Sequence, residues 1–512
     1  MNAEFISRFS SLVSRFSYLV AFFLGAVTVL GYAPFYMYPL PVVTLAGLFY
    51  LWSQAPGPRA AALTGFAYGL GLLLVGASWV YVSLHDFGSM PAPLAVIATF
   101  LFCAIYALCP AAAGYVSAWP RVSLAVRFGV LAPAAWALAD WARGWLFTGF
   151  PWLATGYSQV PESPLAGYAP VLGIYGASLG VALTAGLIVV LGLRAIIPHP
   201  ASLASTAILV ALWAGGWGLK QVEWTTPVGA PVNVSLLQGN VSQDMKWRAE
   251  RVRPTLETYR LLAESAPGEL IILPETALPL FLEQVPPDYL GALAEIARQK
   301  RGDVLIGVPE RTAGGEYYNS VVSVGDSPRQ LYRKSHLVPF GEFIPLRPVL
   351  GWIVSVLAIP LQDFARGAED QRPLAVAGQR VAVNICYEDV FGEEIIRQLP
   401  EATVLVNVSN VAWFGRSLAP RQHLQIAQAR ALETGRFMLR ATNTGLTAVV
   451  GPRGELLAAA PEYEIATVTY AVQGYGGATP YVRWGNYAVL ALCVALIAAA
   501  GWLARRSARS AS

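Results

Sequence analysis

Charge is what this chain has least of. Asp, Glu, Lys and Arg make up 13% of its 512 residues and hydrophobic residues 55%. That charged share is about half the usual one, which excludes an ordinary soluble protein. A net charge of +4 is too small and too dispersed to suit a nucleic-acid partner. Histidine and cysteine are equally sparse, four of each, and show no metal-ligand spacing. Cys103, Cys109 and Cys493 lie in apolar segments, so Cys386 is the sole cysteine of the polar region. With no nearby partner for a disulfide, it is either inert core or chemistry.

Long apolar runs are what the chain has instead. Residues 1–219 are almost continuously apolar, residues 220–480 hold most of the charge, and residues 481–504 turn apolar again. A hydrocarbon core about 30 Å thick needs about 20 apolar residues in a helix. Spans are expected near 12–31, 38–54, 61–83, 92–118, 123–146, 165–193, 202–219 and 485–504. The pattern therefore predicts a membrane bundle of about eight transmembrane helices. The first run has the position of a signal peptide but is followed at once by further apolar segments. It also lacks a small-residue cleavage site, and reads as an uncleaved helix. Three regions follow: helices 1–7 over 1–219, a polar domain over 220–480, and a last helix with a basic tail over 481–512.

Arginine placement sets the expected orientation. One set of ends and loops holds Arg8, Arg15, Arg59, Arg121, Arg127, Arg194, Arg505, Arg506 and Arg509. The other holds His85, Asp86 and Glu162, with only Arg143 near a helix end. Both termini are thus expected in the cytoplasm and the polar domain outside, in the periplasm if the membrane is a bacterial inner one. Asp140 and Arg143, near the outer end of the fifth span, are open to a functional or a structural reading.

Within 220–480, short β-rich runs alternate with helical ones, the pattern of α/β layers. Strands are expected at Val232–Gln238, Glu269–Pro274, Asp303–Val308, Asn319–Val324, Arg380–Cys386, Thr403–Val408, Leu446–Val450 and Ile465–Tyr470. Helices are expected at Arg251–Ser265, Asp288–Gln299, Gly392–Gln398 and Arg421–Thr434. Runs such as LIILPE and TVLVNVSN are apolar at consecutive positions, as strands covered on both faces are.

Three strand ends carry reactive side chains: Glu275 in LPE, Lys334 in YRKSHLVPFGE, and Cys386 in NICYED. Singly, each has an ordinary explanation: a loop carboxylate, a solvated lysine, a buried thiol. Together they supply a base, a cation for an oxyanion and a nucleophile, the set that acyl transfer through a thiolate needs. His336 and His423 offer a Cys–His pair as the alternative, although neither sits at a strand end.

The same three blocks, in the same order, resemble those of the nitrilase superfamily. Placed before the last helix of an eight-helix bundle, they are similar to the apolipoprotein N-acyltransferase family along essentially the whole chain. The resemblance implies an αββα sandwich and transfer of an acyl chain from a phospholipid, typically phosphatidylethanolamine. The acceptor it implies is the N-terminal amine of an S-diacylglyceryl-cysteine on a lipoprotein. It assigns Glu275 as general base, Lys334 as oxyanion stabiliser and Cys386 as nucleophile. Glu342 would hold Lys334, Tyr387 and Glu388 would shape the site, and Trp247, after the block Gln238-Gly239-Asn240, would wall the pocket.

Residues 343–366 form an apolar excursion too short to span a bilayer. They are expected to act as a flap guiding acyl chains, with Trp352, Leu357 and Ile359 as contacts. Val411–Gly415, with Trp413, is expected to close the other side. No metal, nucleotide or organic cofactor is required, and nothing asks for more than a monomer. Two rivals remain: a membrane-anchored amidase or nitrilase-type hydrolase with water as acceptor, and a transporter with a binding module.

Overall fold

The computed structural model describes residues 16–120, 122–194, 200–243, 246–344 and 363–509. By internal contacts the chain divides into two units. One comprises Met1–Tyr81, Ala92–Val222 and Trp484–Ser512; the other comprises Val82–Pro91 and Glu223–Arg483.

In the first unit every expected apolar run carries helix. Among the described residues, six stretches are long and apolar enough to cross a membrane: Pro58–Gly76, Ala92–Ala118, Leu124–Arg143, Pro164–Leu193, Ser202–Lys220 and Tyr487–Arg506. The helices Ser17–Thr28 and Pro39–Gln54 are shorter, at 12 and 16 residues. Small residues let these helices approach closely. A Cβ on Gly71 would lie 2.0 Å from the Phe22 carbonyl oxygen, so Ser17–Thr28 and Pro58–Gly76 meet backbone to backbone. The buried pair Asp140–Arg143, 2.8 Å apart, is satisfied locally. Arg143 donates to the Trp152 carbonyl and Asp140 accepts from the Thr155 N–H, which favours the structural reading.

Among the described residues, the second unit is built on two six-stranded sheets. The first has the order β12-β1-β2-β3-β4-β5, with β1 Thr226–Gln238, β2 Leu270–Ile272, β3 Asp303–Arg311, β4 Tyr317–Gly325, β5 Leu331–Arg333 and β12 Ala466–Gly476. The second has the order β11-β10-β9-β8-β7-β6, with β6 Leu374–Val376, β7 Gln379–Ile385, β8 Val404–Ser409, β9 Met438–Thr442, β10 Ala448–Val450 and β11 Leu456–Ala459. Each sheet has three parallel strands at its centre, β1-β2-β3 and β7-β8-β9, flanked by antiparallel ones.

Alternation along the strands sorts side chains into layers. Val234, Leu236, Leu270 and Ile272 face Val381, Val383, Val404 and Val406 in the core between the sheets. Leu237, Ile271 and Leu273 point the other way, into a core shared with helices Ala249–Ser265 and Pro287–Gln299. Ala382, Leu405 and Met438 pack likewise under helix Ala419–Thr434. The result is the αββα sandwich.

Eight strands fall where the sequence places them, and four do not announce themselves. β5, β6 and β11 are three- or four-residue strands at or next to sheet edges, where no two-faced apolar run is required. β9 is central but carries Arg440 in its middle, which breaks the apolar pattern. The expected helix Gly392–Gln398 is shorter than read, Gly392–Ile395 continuing as a 3₁₀ turn.

One close approach sets where Glu275 lies. A Cβ on Gly307 of β3 would stand 2.2 Å from the Pro274 oxygen and 2.7 Å from the Glu275 Cα. Gly307→Ala should therefore push the Pro274–Glu275 turn off β3, at a cost of about 1–3 kcal/mol. Denaturation of the detergent-solubilised variant checks this, and unchanged stability together with full activity would contradict the packing.

Candidate active site

The chain leaves β2, β5 and β7 within one to three residues of a reactive side chain, and the fold brings these three ends together. Glu275 follows β2, Lys334 follows β5, and Cys386 follows β7. Lys334 is 1% exposed, with its Nζ 2.8 Å from Glu342 Oε1 and 3.8 Å from Glu275 Oε1. Burial alone would lower its pKa, but the charges of Glu342, Glu275 and Cys386 outweigh that and raise it. Lys334 is therefore a permanent cation.

Glu275 is held at both oxygens. Oε1 accepts from Asn319 Nδ2 at 2.7 Å and Oε2 from the Asn410 backbone N–H at 2.7 Å. Asn319 also donates to Glu342 Oε1 at 3.2 Å, so it spans both carboxylates. Glu342 is fixed in turn, because its Oε2 accepts from the Val338 N–H at 2.8 Å.

Cys386 opens a 3₁₀ turn, Cys386–Val390, in the left-handed region at φ +53°. A β-carbon there costs about 1–3 kcal/mol, so the surroundings must enforce it. Its carbonyl accepts from Asn407 Nδ2 at 3.0 Å. Below lies a fully buried network: His423 Nε2 to Asp389 Oδ1 at 2.6 Å, and Arg440 to Asp389 Oδ2 at 3.1 Å, Asn407 Oδ1 at 3.0 Å and His423 Nδ1 at 2.8 Å. Burial, then the Arg440 charge, lowers the His423 pKa, so this ring is neutral and engaged at both nitrogens. His336 stacks on Phe391 and bonds Glu394. Burial and the nearby Glu275 charge push the Cys386 thiol well up against the opposing pull of Lys334, although part of the residue reaches solvent.

Glu388 ties the Lys334 segment to the Cys386 turn. Oε1 accepts from Ser335 N, Ser335 Oγ and His336 N at 2.7, 2.9 and 3.1 Å. Oε2 accepts from Ile385 N and Tyr332 Oη at 2.7 and 3.0 Å. Burial raises its pKa, and the backbone donors and Lys334 oppose that. Tyr387 packs edge-on to Phe391 and His336.

The expected pocket walls fare differently. Trp247 is 55% exposed and Trp413 42% exposed, while Trp352, Leu357 and Ile359 lie outside the described residues. The described ends of that excursion are anchored beside Lys334: the Phe364 N–H donates to the Glu342 carbonyl and the Gly367 N–H to the Lys334 carbonyl, both at 2.8 Å.

Sequence reasoning passed over Asn319, Asn410 and the Asp389–His423–Arg440 network, and gave Lys246 no role. Lys246 is buried, and its Nζ donates to Thr276 Oγ1 at 2.5 Å and the Glu275 carbonyl at 3.4 Å. Burial lowers its pKa to about 8, against the charge of Glu275. Asn410 was within reach, since it stands at the mouth of an apolar strand as Glu275 does. Among the described residues no His, Cys, Asp and Glu cluster could hold a metal ion.

Known proteins divide the chain in a matching way. The family described as apolipoprotein N-acyltransferase N-terminal domain matches residues 24–187, and that described as carbon-nitrogen hydrolase matches residues 233–481. A protein of Nitrosomonas europaea named apolipoprotein N-acyltransferase is 55% identical over 96% of this chain and 98% of its own length. One of the same name from Chromobacterium violaceum is 44% identical over 95% of this chain and 94% of its own. A carbon-nitrogen hydrolase crystal structure from Helicobacter pylori G27 aligns at 18% identity and a TM-score of 0.36, too distant to speak to substrate or site.

The raised thiol pKa has a direct readout. Thiolate absorbance attributable to Cys386, taken as wild type minus Cys386→Ala, should be absent at neutral pH. It should grow only above the ordinary thiol pKa of about 8.5. A midpoint at or below that value would mean that the thiolate is preformed.

Proposed function

Starting from a chain that belongs to the apolipoprotein N-acyltransferase family, a family of membrane acyltransferases acting in lipoprotein maturation, we propose a ping-pong reaction through a thioester on Cys386. The observation that carries this reading is the meeting of the Cys386 side chain, a doubly held Glu275 carboxylate and the buried Lys334 side chain at three strand ends.

In the first half-reaction Glu275 takes the Cys386 proton and the sulfur attacks an ester carbonyl of a phospholipid, such as phosphatidylethanolamine. The thiol's raised pKa makes this transfer concerted with attack, not prior to it. Lys334, kept cationic by Glu342, faces the oxyanion, where a fixed charge in a dry site acts most strongly. The intermediate collapses, the lysophospholipid oxygen takes the proton back from Glu275 as it leaves, and the acyl group stays on sulfur. In the second half-reaction the amine of an S-diacylglyceryl-cysteine attacks the thioester and loses its proton to Glu275. The C–S bond then breaks, and Cys386 regains a proton from Glu275. No step asks for a cofactor, and one copy of the chain holds every group named.

Both substrates are lipids, and each CH₂ taken from the bilayer costs about 0.8 kcal/mol. A site within reach of lipid headgroups follows from that cost. The arginine bias adds the orientation: both termini in the cytoplasm and the site in the periplasm of a bacterial inner membrane. Trp247, Trp352 and Trp413 are the proposed apolar contacts for the chains, with 343–366 as flap.

Rapid-quench measurement of thioester formation tests the roles. Cys386→Ala should form none. Glu275→Gln and Lys334→Met should each slow acylation by at least about 10²–10³. Lys334→Met also leaves the buried Glu275 and the partly buried Glu342 without their cation, so it should cost about 3–5 kcal/mol of stability. A Lys334→Met enzyme that acylates at the wild-type rate would remove Lys334 from the mechanism.

A further inference from the structure

Ten residues of the second unit come from elsewhere in the chain. Val82–Pro91 lies between the apolar helices Pro58–Gly76 and Ala92–Ala118, and inside the stretch matched by the N-terminal family domain. Yet it packs with Glu223–Arg483. The segment is a built turn: Gly88 N–H donates to the Ser83 carbonyl, Met90 N–H to the Leu84 carbonyl, and His85 Nδ1 lies 2.8 Å from the Met90 oxygen.

Its contacts fall on the Val411–Phe414 turn and the glycine after it. Ser83 Oγ donates to the Trp413 carbonyl at 2.9 Å, and the Phe87 and Trp413 rings meet edge to face at 6.3 Å. Gly415, at φ +52°, leaves so little room that a Cβ there would stand 3.3 Å from Val82 Cγ1. The residue opening this turn is Asn410, whose backbone N–H holds Glu275 Oε2 and whose side chain is itself held by Gln243 and Asn443. Two residues, Val411 and Ala412, therefore separate the grip of Ser83 and Phe87 from the grip on the base.

Resting on the thioester reading above, we propose that Val82–Pro91 is a positioning element that holds the 410–415 turn against Glu275 and so commits the acyl-enzyme to an amine instead of water. Hydrolysis and transfer share one acid–base group. In either, Glu275 accepts a proton from the attacking atom, the C–S bond breaks and the sulfur is reprotonated; only the attacking atom differs. An amine tethered to two acyl chains arrives in one orientation, whereas water arrives from any. A fixed Glu275 serves the first geometry well, and a loosened one serves both. Misplacement by about 1 Å costs up to 10²-fold when the attacker is itself constrained, so loosening should penalise transfer more than hydrolysis. The part of the fold that separates a transferase from a hydrolase would then lie outside the hydrolase-like domain.

The test uses full-length enzyme loaded with an acyl group from phosphatidylethanolamine in mixed micelles and then freed of donor. It is given a synthetic S-diacylglyceryl-cysteine peptide in buffer, and mass spectrometry compares N-acyl peptide with free fatty acid. Phe87→Ala and Ser83→Ala should each raise the ratio of hydrolysis to transfer, by about tenfold for Phe87→Ala. Phe87→Tyr, which keeps the ring, should retain the wild-type ratio. Loss of folded protein lowers both products and leaves their ratio alone, and Ser83→Ala removes a single hydroxyl. A wild-type ratio in both Phe87→Ala and Ser83→Ala would overturn the positioning role while leaving the thioester reading intact. A wild type that never carries an acyl group on Cys386 would instead sink that reading itself.

Discussion

An ammonium group removed from water must be matched by carboxylates, and Lys334 imposes that demand on the structure around it. Leaving such a charge unmatched costs several kcal/mol, more than one surface contact returns. Glu342 meets it at 2.8 Å and Glu275 stands at 3.8 Å, so two acidic side chains from distant parts of the chain must arrive at one point. Asn319 then has to bridge them, because two carboxylates sharing one cation need a further donor. The backbone is drawn in behind: Glu388 gathers the N–H groups of Ser335, His336 and Ile385, which fixes the Lys334 segment to the Cys386 turn.

This arrangement has a chemical consequence. Beside Cys386 the carboxylates of Glu275 and Glu342 face the ammonium of Lys334, with the buried Lys246 behind Glu275. Ionising the sulfur would put a charge in a poorly hydrated place near Glu275, which is why the thiol pKa rises. Moving the proton to Glu275 keeps the total unchanged. In the proposed mechanism a carboxylate base and a thiol are thus better matched here than either would be in water, and no histidine is called on. The two nearest histidines are occupied elsewhere, His423 in the network below Cys386 and His336 against Phe391 and Glu394.

Much of this was legible in the sequence because burial on both faces leaves a strong mark. Runs such as LIILPE and VLVNVS can only be central strands, and the reactive residues stand where those runs stop. The helices were legible for the same reason, since long apolar runs need little interpretation. What escaped has a common cause. Arg440 and Asn319 are polar residues inside strands, buried only because partners from other strands satisfy them, and no local pattern reveals such partners. The edge strands β5, β6 and β11 escaped because sheet margins demand no apolar pattern. Val82–Pro91 reads as a loop between two spans; that it packs with the second unit depends on Trp413, more than 300 positions away.

The proposed covalent intermediate is the one species that would link the buried cation, the thiol and the two proposed lipid substrates. Intact-mass measurement of the enzyme exposed to phospholipid alone, then to a diacylglyceryl-cysteine peptide, tests it most directly. A ping-pong mechanism predicts a mass gain of one acyl chain on Cys386, removable by hydroxylamine, that disappears as an equal amount of N-acyl peptide forms. Product formed with no acylated enzyme at any time, or an acyl group on Cys386 that the peptide cannot discharge, would contradict it.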